Sequence, residues 1–236
     1  MSRIQSGGYP DVVVFADRRD AGARLAVRLT DYRGQYVLVL GIPRGGVPVA
    51  AEVARCLGAE LDVVVARKVG APGFSELAIG AVTANGGRFM NGEMIQALDV
   101  SDTYLEVAIA REMAEARRRE ERFRAGRPLS PLEGRIVLLV DDGLATGATM
   151  RAAVRSVRSH HPTKLVVAVP VGSIQACAAL RPEVDELVCL EKPEPFEAVG
   201  LYYQDFAPVE DAEVQRLLQE AWAGSPRLRE DLVAHQ

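Results

Sequence analysis

Short, unbroken apolar runs constrain this chain more than any other feature. Residues 36–41 (YVLVLG), 61–67 (LDVVVAR), 135–140 (RIVLLV) and 164–171 (KLVVAVPV) each carry consecutive branched aliphatic residues, and 185–190 (DELVCL) forms a fifth run. A strand with one wet face alternates apolar and polar residues, whereas a strand buried on both faces does not. Helical stretches are expected between the runs. One covers 46–58, with Pro48 in its first turn, where a missing N–H costs nothing. Another starts near Gly147, and a short one covers 173–180. Strand and helix in alternation imply an α/β fold: a parallel sheet flanked by helices on both faces. Ahead of the first strand, 17–29 reads as a helix with Asp17 as its N-cap.

Two regions break this rhythm. Residues 77–89 alternate and contain Asn85-Gly86-Gly87, a hairpin signal that suggests a flap. Residues 101–125 read as a long helix, with Leu105, Ile109, Met113, Ala116 and Phe123 on one face and Thr103–Glu106 at capping-box spacing. Its arginines, from Arg111 to Arg127, interleave with Glu112, Glu115, Glu120 and Glu121, and Glu115–Arg119 is a favourable i,i+4 pair. That describes a solvated, salt-bridged face; a phosphate or RNA contact is the sharper alternative. There is no repeat, low-complexity segment or clear linker, so 1–236 reads as one domain with appendages.

Net charge bears on partners: at −4, with a pI near 5.5, nothing overall suggests a nucleic-acid binder. Cys56, Cys177 and Cys189 form neither a disulfide framework nor a zinc pattern, and read as buried thiols in a reducing compartment. No apolar run approaches the ~20 residues of a membrane-spanning helix. With no signal-peptide core at the N-terminus, the expected location is cytoplasmic.

Three strand ends carry unusual residues, and ligands of open parallel sheets bind at the carboxyl ends of strands. After the first run comes GIPRGG (41–46), with paired glycines at a helix start. It is neither a dinucleotide fingerprint nor a Walker A loop, and alone it is equally a tight turn with an exposed arginine. After the second comes Arg67-Lys68. Neighbouring strand residues point to opposite faces, so the strand is expected to end there; the pair suits either a pyrophosphate or a solvated strand end. The third is VLLVDDGLATGATM (137–150). Its loop runs into a helix N-terminus, where amides and dipole favour a phosphate. Ionised Asp141 and Asp142 only accept hydrogen bonds, so they want hydroxyl donors or a metal. A ligand with a phosphate close to a vicinal diol satisfies both, which describes a ribose 5-phosphate.

Residues 137–149 resemble the thirteen-residue PRPP-binding signature of type I phosphoribosyltransferases. GIPRGG looks like that family's pyrophosphate loop, which often contains a non-proline cis peptide, here by analogy around Arg44-Gly45. Arg67-Lys68 matches its basic position, and 70–89 stands where the family has a mobile flap. The resemblance covers about 36–190 and implies a Rossmann-like core with a small hood, here 191–210 plus the N-terminal segment. More narrowly, FADRRDAGARLA, GIPRGGVPVAAEVA, VDDGLATGATM and FEAVGLYYQDF are similar to a bacterial group of unassigned substrate. Some of its members carry a fused hydrolase domain, and none is expected within these 236 residues.

The resemblance implies transfer of ribose 5-phosphate from PRPP to a nitrogen acceptor, with release of pyrophosphate, dependence on Mg²⁺ and a place in nucleotide salvage. Asp141 and Asp142 are then the catalytic pair, holding the diol and, through water, the metal. Ala145, Thr146, Gly147, Ala148 and Thr149 hold the 5-phosphate. Arg44, Gly45, Gly46, Arg67 and Lys68 take the pyrophosphate. The 6-oxopurine enzymes usually have an aspartate at the position of Ala145, whereas alanine is closer to the adenine and uracil enzymes. Phe196 and Tyr202, with Tyr203 and Phe206 beside them, either stack on the acceptor or pack the hood onto the core. His160, His161 and His235 lie near none of these loops, which leaves the acidic pair as the sole candidate base. Homodimers are common in this fold. The same fold also includes non-catalytic PRPP or nucleotide sensors, some binding RNA or DNA, which is the alternative reading.

Overall fold

A computed structural model describes residues 14–224. Its central sheet has five parallel strands in the order β2-β1-β6-β7-β8. These are β1 (Val37–Gly41), β2 (Glu60–Val63), β6 (Ile136–Val140), β7 (Lys164–Val171) and β8 (Glu186–Glu191). Successive side chains serve two different cores. Val37 and Val39, Leu138 and Val140, and Val166 and Ala168 enter one cluster. Leu38 and Leu40, Val137 and Leu139, and Leu165 and Val167 enter the other. This double burial is why the strand sequences are apolar without alternation.

The first cluster is closed by α1 (Arg18–Arg28), α2 (Gly46–Leu57), α7 (Asp211–Ala223) and the later turns of α4 (Asp102–Arg124). The second is closed by α5 (Ala148–Arg158) and α6 (Ile174–Leu180). Truncating a fully buried strand residue such as Leu139 to alanine is expected to cost about 2–5 kcal/mol. Helix α7, which the sequence reading did not assign, packs Val214, Leu217, Leu218 and Trp222 into the first cluster, and the Trp222 indole N–H reaches the Leu61 carbonyl at 2.9 Å.

A second, antiparallel sheet of β3 (Ala66–Ala71), β4 (Phe74–Thr83) and β5 (Arg88–Met90) forms the flap. The Asn85-Gly86 turn joins β4 to β5, with Gly86 in the left-handed region at φ 86°. The early turns of α4 cover one face of this sheet through Leu105, Ala108, Ile109 and Met113. Helix α5 covers the other, where Ala148 and Ala152 meet Ala81 and Phe89. A further short helix, α3 (Gly92–Ala97), links flap to α4.

Three expectations are corrected. Residues 61–67 are not one strand: β2 stops at Val63 and β3 starts at Ala66. The Val65 N–H leaves the sheet to bond the Glu120 carboxylate at 3.0 Å, so the chain turns before the basic pair. Arg67 and Lys68 therefore lie inside regular β structure at a strand's beginning. Helix α4 is capped by Ser101, whose hydroxyl accepts from the Tyr104 N–H, two residues earlier than the Thr103–Glu106 spacing suggests. The helix face is salt-bridged as expected, Arg118 and Arg119 on Glu115, Arg111 on Glu112 and Arg122 on Asp211, but Glu112 and Glu120 are buried rather than solvated. Among the described residues, no helix is long and apolar enough to cross a membrane, and Cys56, Cys177 and Cys189 are free thiols.

Candidate active site

Strand register brings two of the three loops together. Gly41 pairs with Val140, so β1 and β6 end side by side at the point where strand order reverses. Open α/β sheets bind ligands at such a crevice. The loop after β1 lies directly on the acidic pair. A Cβ on Gly46 would sit 2.8 Å from the Asp141 Cα, and one on Gly45 would overlap the Asp142 carboxylate. The glycines are thus required by contact between two parts of the protein. The cis peptide of this loop is Pro43–Arg44, one bond earlier than Arg44-Gly45. Gly45 already has helical geometry, and the Gly46 N–H bonds the Ile42 carbonyl, so the chain has reversed before the glycines.

Beyond the acidic pair, Leu144 is anchored by N–H to the Val171 carbonyl and by its own carbonyl to the Ser173 N–H. The Ser173 hydroxyl holds the Ala145 carbonyl at 2.8 Å. These bonds turn Ala145 and Thr146 outward, where both are exposed. Gly147, at φ 78°, caps α5, and the Arg151 N–H makes the first return bond to its carbonyl. The amides of Ala148 and Thr149 therefore lie at the open start of the helix, an arrangement able to accept an anion.

Burial raises the Asp141 carboxyl well above the usual carboxylate range, and the neighbouring Asp142 charge adds to it. Burial raises Asp142 too, opposed by Arg18. Arg18, on the first turn of α1, donates from Nε to Asp142 Oδ2 at 2.9 Å and from Nη1 to the Ala207 carbonyl at 2.9 Å. Its guanidinium lies 3.9 Å from the centre of the Phe206 ring. The Tyr203 hydroxyl donates to the Asp142 carbonyl at 2.6 Å, and Val199 presses on Gly143. Burial, and then the Asp142 charge, push the Tyr203 phenol upward. None of these partners is visible in the signature itself. The one hint for Arg18 is the FADRRDAGARLA stretch.

The hood is built from both ends of the described chain. Phe15 bridges Tyr203 in parallel, and the Phe15 N–H bonds the Tyr202 carbonyl. Tyr202 is buried there, its ring stacked on Phe196 with centroids 5.6 Å apart. Phe196 is half-buried and keeps open surface. The basic residues separate. Arg67 lies opposite Val82, on the face covered by α4, and pairs with Glu112 at 3.0 Å. Lys68 lies opposite Ala81, on the face covered by α5, and is exposed. Arg44 extends towards Glu210 and Asp211 at the start of α7. His160 sits at the far end of α5, bonded to Ser156, and His235 lies outside the described residues.

Among the described residues, no group of three or more His, Cys, Asp or Glu side chains is placed to hold a metal ion. Asp141 and Asp142 supply two carboxylates, one oxygen of which is taken by Arg18. Mg²⁺ commonly keeps several waters and binds one or two carboxylates together with substrate phosphates. The donor set fits that arrangement.

Comparison with known proteins bears on the family and the fold. A family model described as phosphoribosyl transferase domain matches residues 17–205. Two Mycobacterium tuberculosis proteins, from strains CDC 1551 / Oshkosh and ATCC 25618 / H37Rv, carry provisional phosphoribosyl transferase names. Each is 46% identical over 208 residues, which covers 88% of this chain and 47% of theirs. The chain thus spans about half the length of these curated relatives. The crystal structure of TT1426 from Thermus thermophilus is 48% identical with a TM-score of 0.74, covering 88% of this chain and 98% of that one. The AQ2163 protein from Aquifex aeolicus, 14% identical over 85% of each chain with a TM-score of 0.50, shares the fold.

Proposed function

The chain belongs to the phosphoribosyl transferase domain family, and from that premise we propose that it transfers the ribose 5-phosphate of PRPP to a nucleobase-like nitrogen acceptor, releasing pyrophosphate. The observation that carries this reading is the junction at the end of β6. Two largely buried carboxylates there adjoin a helix-terminal anion loop on one side and the Gly45–Gly46 turn on the other.

In this reading the amides and hydroxyls of 145–149 hold the 5-phosphate. The free oxygens of Asp141 and Asp142 accept from the ribose diol. The Gly45–Gly46 backbone and Lys68 receive the pyrophosphate, and Arg44 and Arg67, both partly exposed, complete that site by exchanging their carboxylate partners for phosphate oxygens. The acceptor nitrogen forms a bond to C1′ as the bond from C1′ to the pyrophosphate oxygen breaks, and the electron pair leaves with pyrophosphate. The transition state resembles an oxocarbenium ion, so a fixed anionic pair under the ring stabilises it. Mg²⁺, when bound with PRPP, neutralises charge on the leaving group. Asp141, whose burial strengthens its hold on a proton, is the group of the signature suited to take the acceptor proton. Phe196 offers the acceptor a ring face, with Tyr202 as its backing. Ala145 supplies no carboxylate, which favours acceptors other than 6-oxopurines. A cytoplasmic salvage enzyme is the setting this describes.

The test is to incubate the chain with PRPP, Mg²⁺ and a panel of nucleobases, following pyrophosphate release and product mass. Acceptor-dependent release is expected. PRPP binding without turnover on any acceptor would remove the enzyme reading and leave a PRPP-binding protein.

A further inference from the structure

Arg18 stands outside all three candidate ligand loops, yet its side chain ties the Asp142 carboxylate to the hood. Asp17 caps α1 by accepting from the Arg19 and Asp20 amides, so the backbone of Arg18 is fixed at a helix start. From there the guanidinium makes three contacts at once: Nε to Asp142, Nη1 to the Ala207 carbonyl, and its face on Phe206. The pair is well shielded, with 11% of the Arg18 and 15% of the Asp142 side chain exposed. Only a planar guanidinium can make two divergent bonds and stack in one pose; an ammonium supplies the charge without the fork.

We propose that Arg18 is a positioning residue for PRPP: by occupying Asp142 Oδ2 it sets the carboxylate's orientation, leaves Oδ1 to accept from the ribose diol, and ties that orientation to the hood. The inference rests on the PRPP reading above. Arg18 does not touch the ligand. Its effect on binding passes through Asp142, so the two residues act as one unit, and removing both costs no more than removing either.

The experiment is calorimetric titration of the full chain with PRPP and Mg²⁺, for wild type, R18M, R18K, D142N, the R18M/D142N double variant and R24M. Arg24 lies on the same helix and contacts Phe15 and Asp20, which makes it a control for α1–hood packing. R18M is expected to weaken PRPP binding at least tenfold and R18K less than R18M, with R24M unchanged. In the D142N background, R18M should add less than a twofold loss. Wild-type affinity in R18M would overturn the proposal, and so would an undiminished further loss in the D142N background. If R18M does not fold, R18K crossed with D142N is judged by the same criterion. Absence of PRPP binding by the wild-type chain is a different result: it overturns the PRPP reading, and this inference with it.

Discussion

Gly46 lies against Asp141 with no room for a side chain: a Cβ would stand 2.8 Å from the Asp141 Cα and 2.8 Å from the Val140 carbonyl oxygen. The obstacle is backbone and cannot rotate away. Gly46→Ala must therefore separate the loop after β1 from the acidic pair, at a cost of about 1–3 kcal/mol. A lower thermal midpoint together with weaker PRPP binding is expected. A variant that melts and binds like wild type would mean that the two loops do not act as one surface.

Asp141 should lower the stability of the ligand-free fold. Its folded-state pKa is raised, by burial first and by Asp142 second. The unfolded chain thus holds the proton less tightly, so a penalty on folding sets in above the unfolded-state pKa and is complete above the folded-state one. Asp141→Asn keeps an acceptor for the Asp142 N–H and removes the charge. It should melt higher than wild type at neutral pH. The difference should shrink as pH falls towards the ordinary aspartate pKa of about 4, where wild type is protonated in both states. Turnover should fall at least about a hundredfold, in line with loss of a transition-state electrostatic group. Melting curves across pH, with and without PRPP, and turnover assays check both halves.

Both members of the basic pair should weaken PRPP binding when removed, and Arg67 alone should also carry a stability effect. Lys68 is exposed on the α5 side of β3, so Lys68→Met should leave the melting temperature unchanged and weaken PRPP binding about tenfold. Arg67 is bonded to Glu112, which keeps 10% of its side chain exposed. Removing the arginine strands that carboxylate next to Arg111 alone, and Arg67→Met should destabilise by about 1–2 kcal/mol after allowance for partial exposure. Parallel denaturant titrations and PRPP titrations separate the two. Equal loss of stability in both variants would contradict the opposite facing of the two residues.

Phe196→Ala should raise the acceptor KM several-fold once an acceptor is known, with PRPP affinity unchanged. Tyr202→Phe removes only a hydroxyl whose partner, the Pro195 carbonyl, is 3.4 Å away, and should alter neither constant. A shift in PRPP affinity for Phe196→Ala would place that ring elsewhere than the acceptor side.

Much of the core was readable because its signals are local. A strand buried on two faces must be apolar throughout, and a helix after it must show a 3.6-residue period; both patterns lie within a dozen residues. The acidic pair and the loop after it are consecutive in the chain, so 137–149 contains both halves of the proposed ribose-phosphate site. Helix α7 was also visible in principle, through Val214, Leu217, Leu218 and Trp222 at helical spacing. The β2/β3 break was not, because nothing in LDVVVAR announces that the Val65 amide will be claimed by Glu120, 55 residues later.

By itself, then, the amino-acid sequence determined the parallel core strands and most of the helices between them, since each follows from the order of neighbouring residues. The tertiary structure decided which side chains are committed before any ligand arrives. Arg18 meets Asp142 across 124 positions of chain, Arg67 turns to Glu112, and Tyr202 is buried behind Phe196. Such pairings depend on where the sheet places distant segments and on which partner a charge finds when water is excluded. Neither quantity has a local signature.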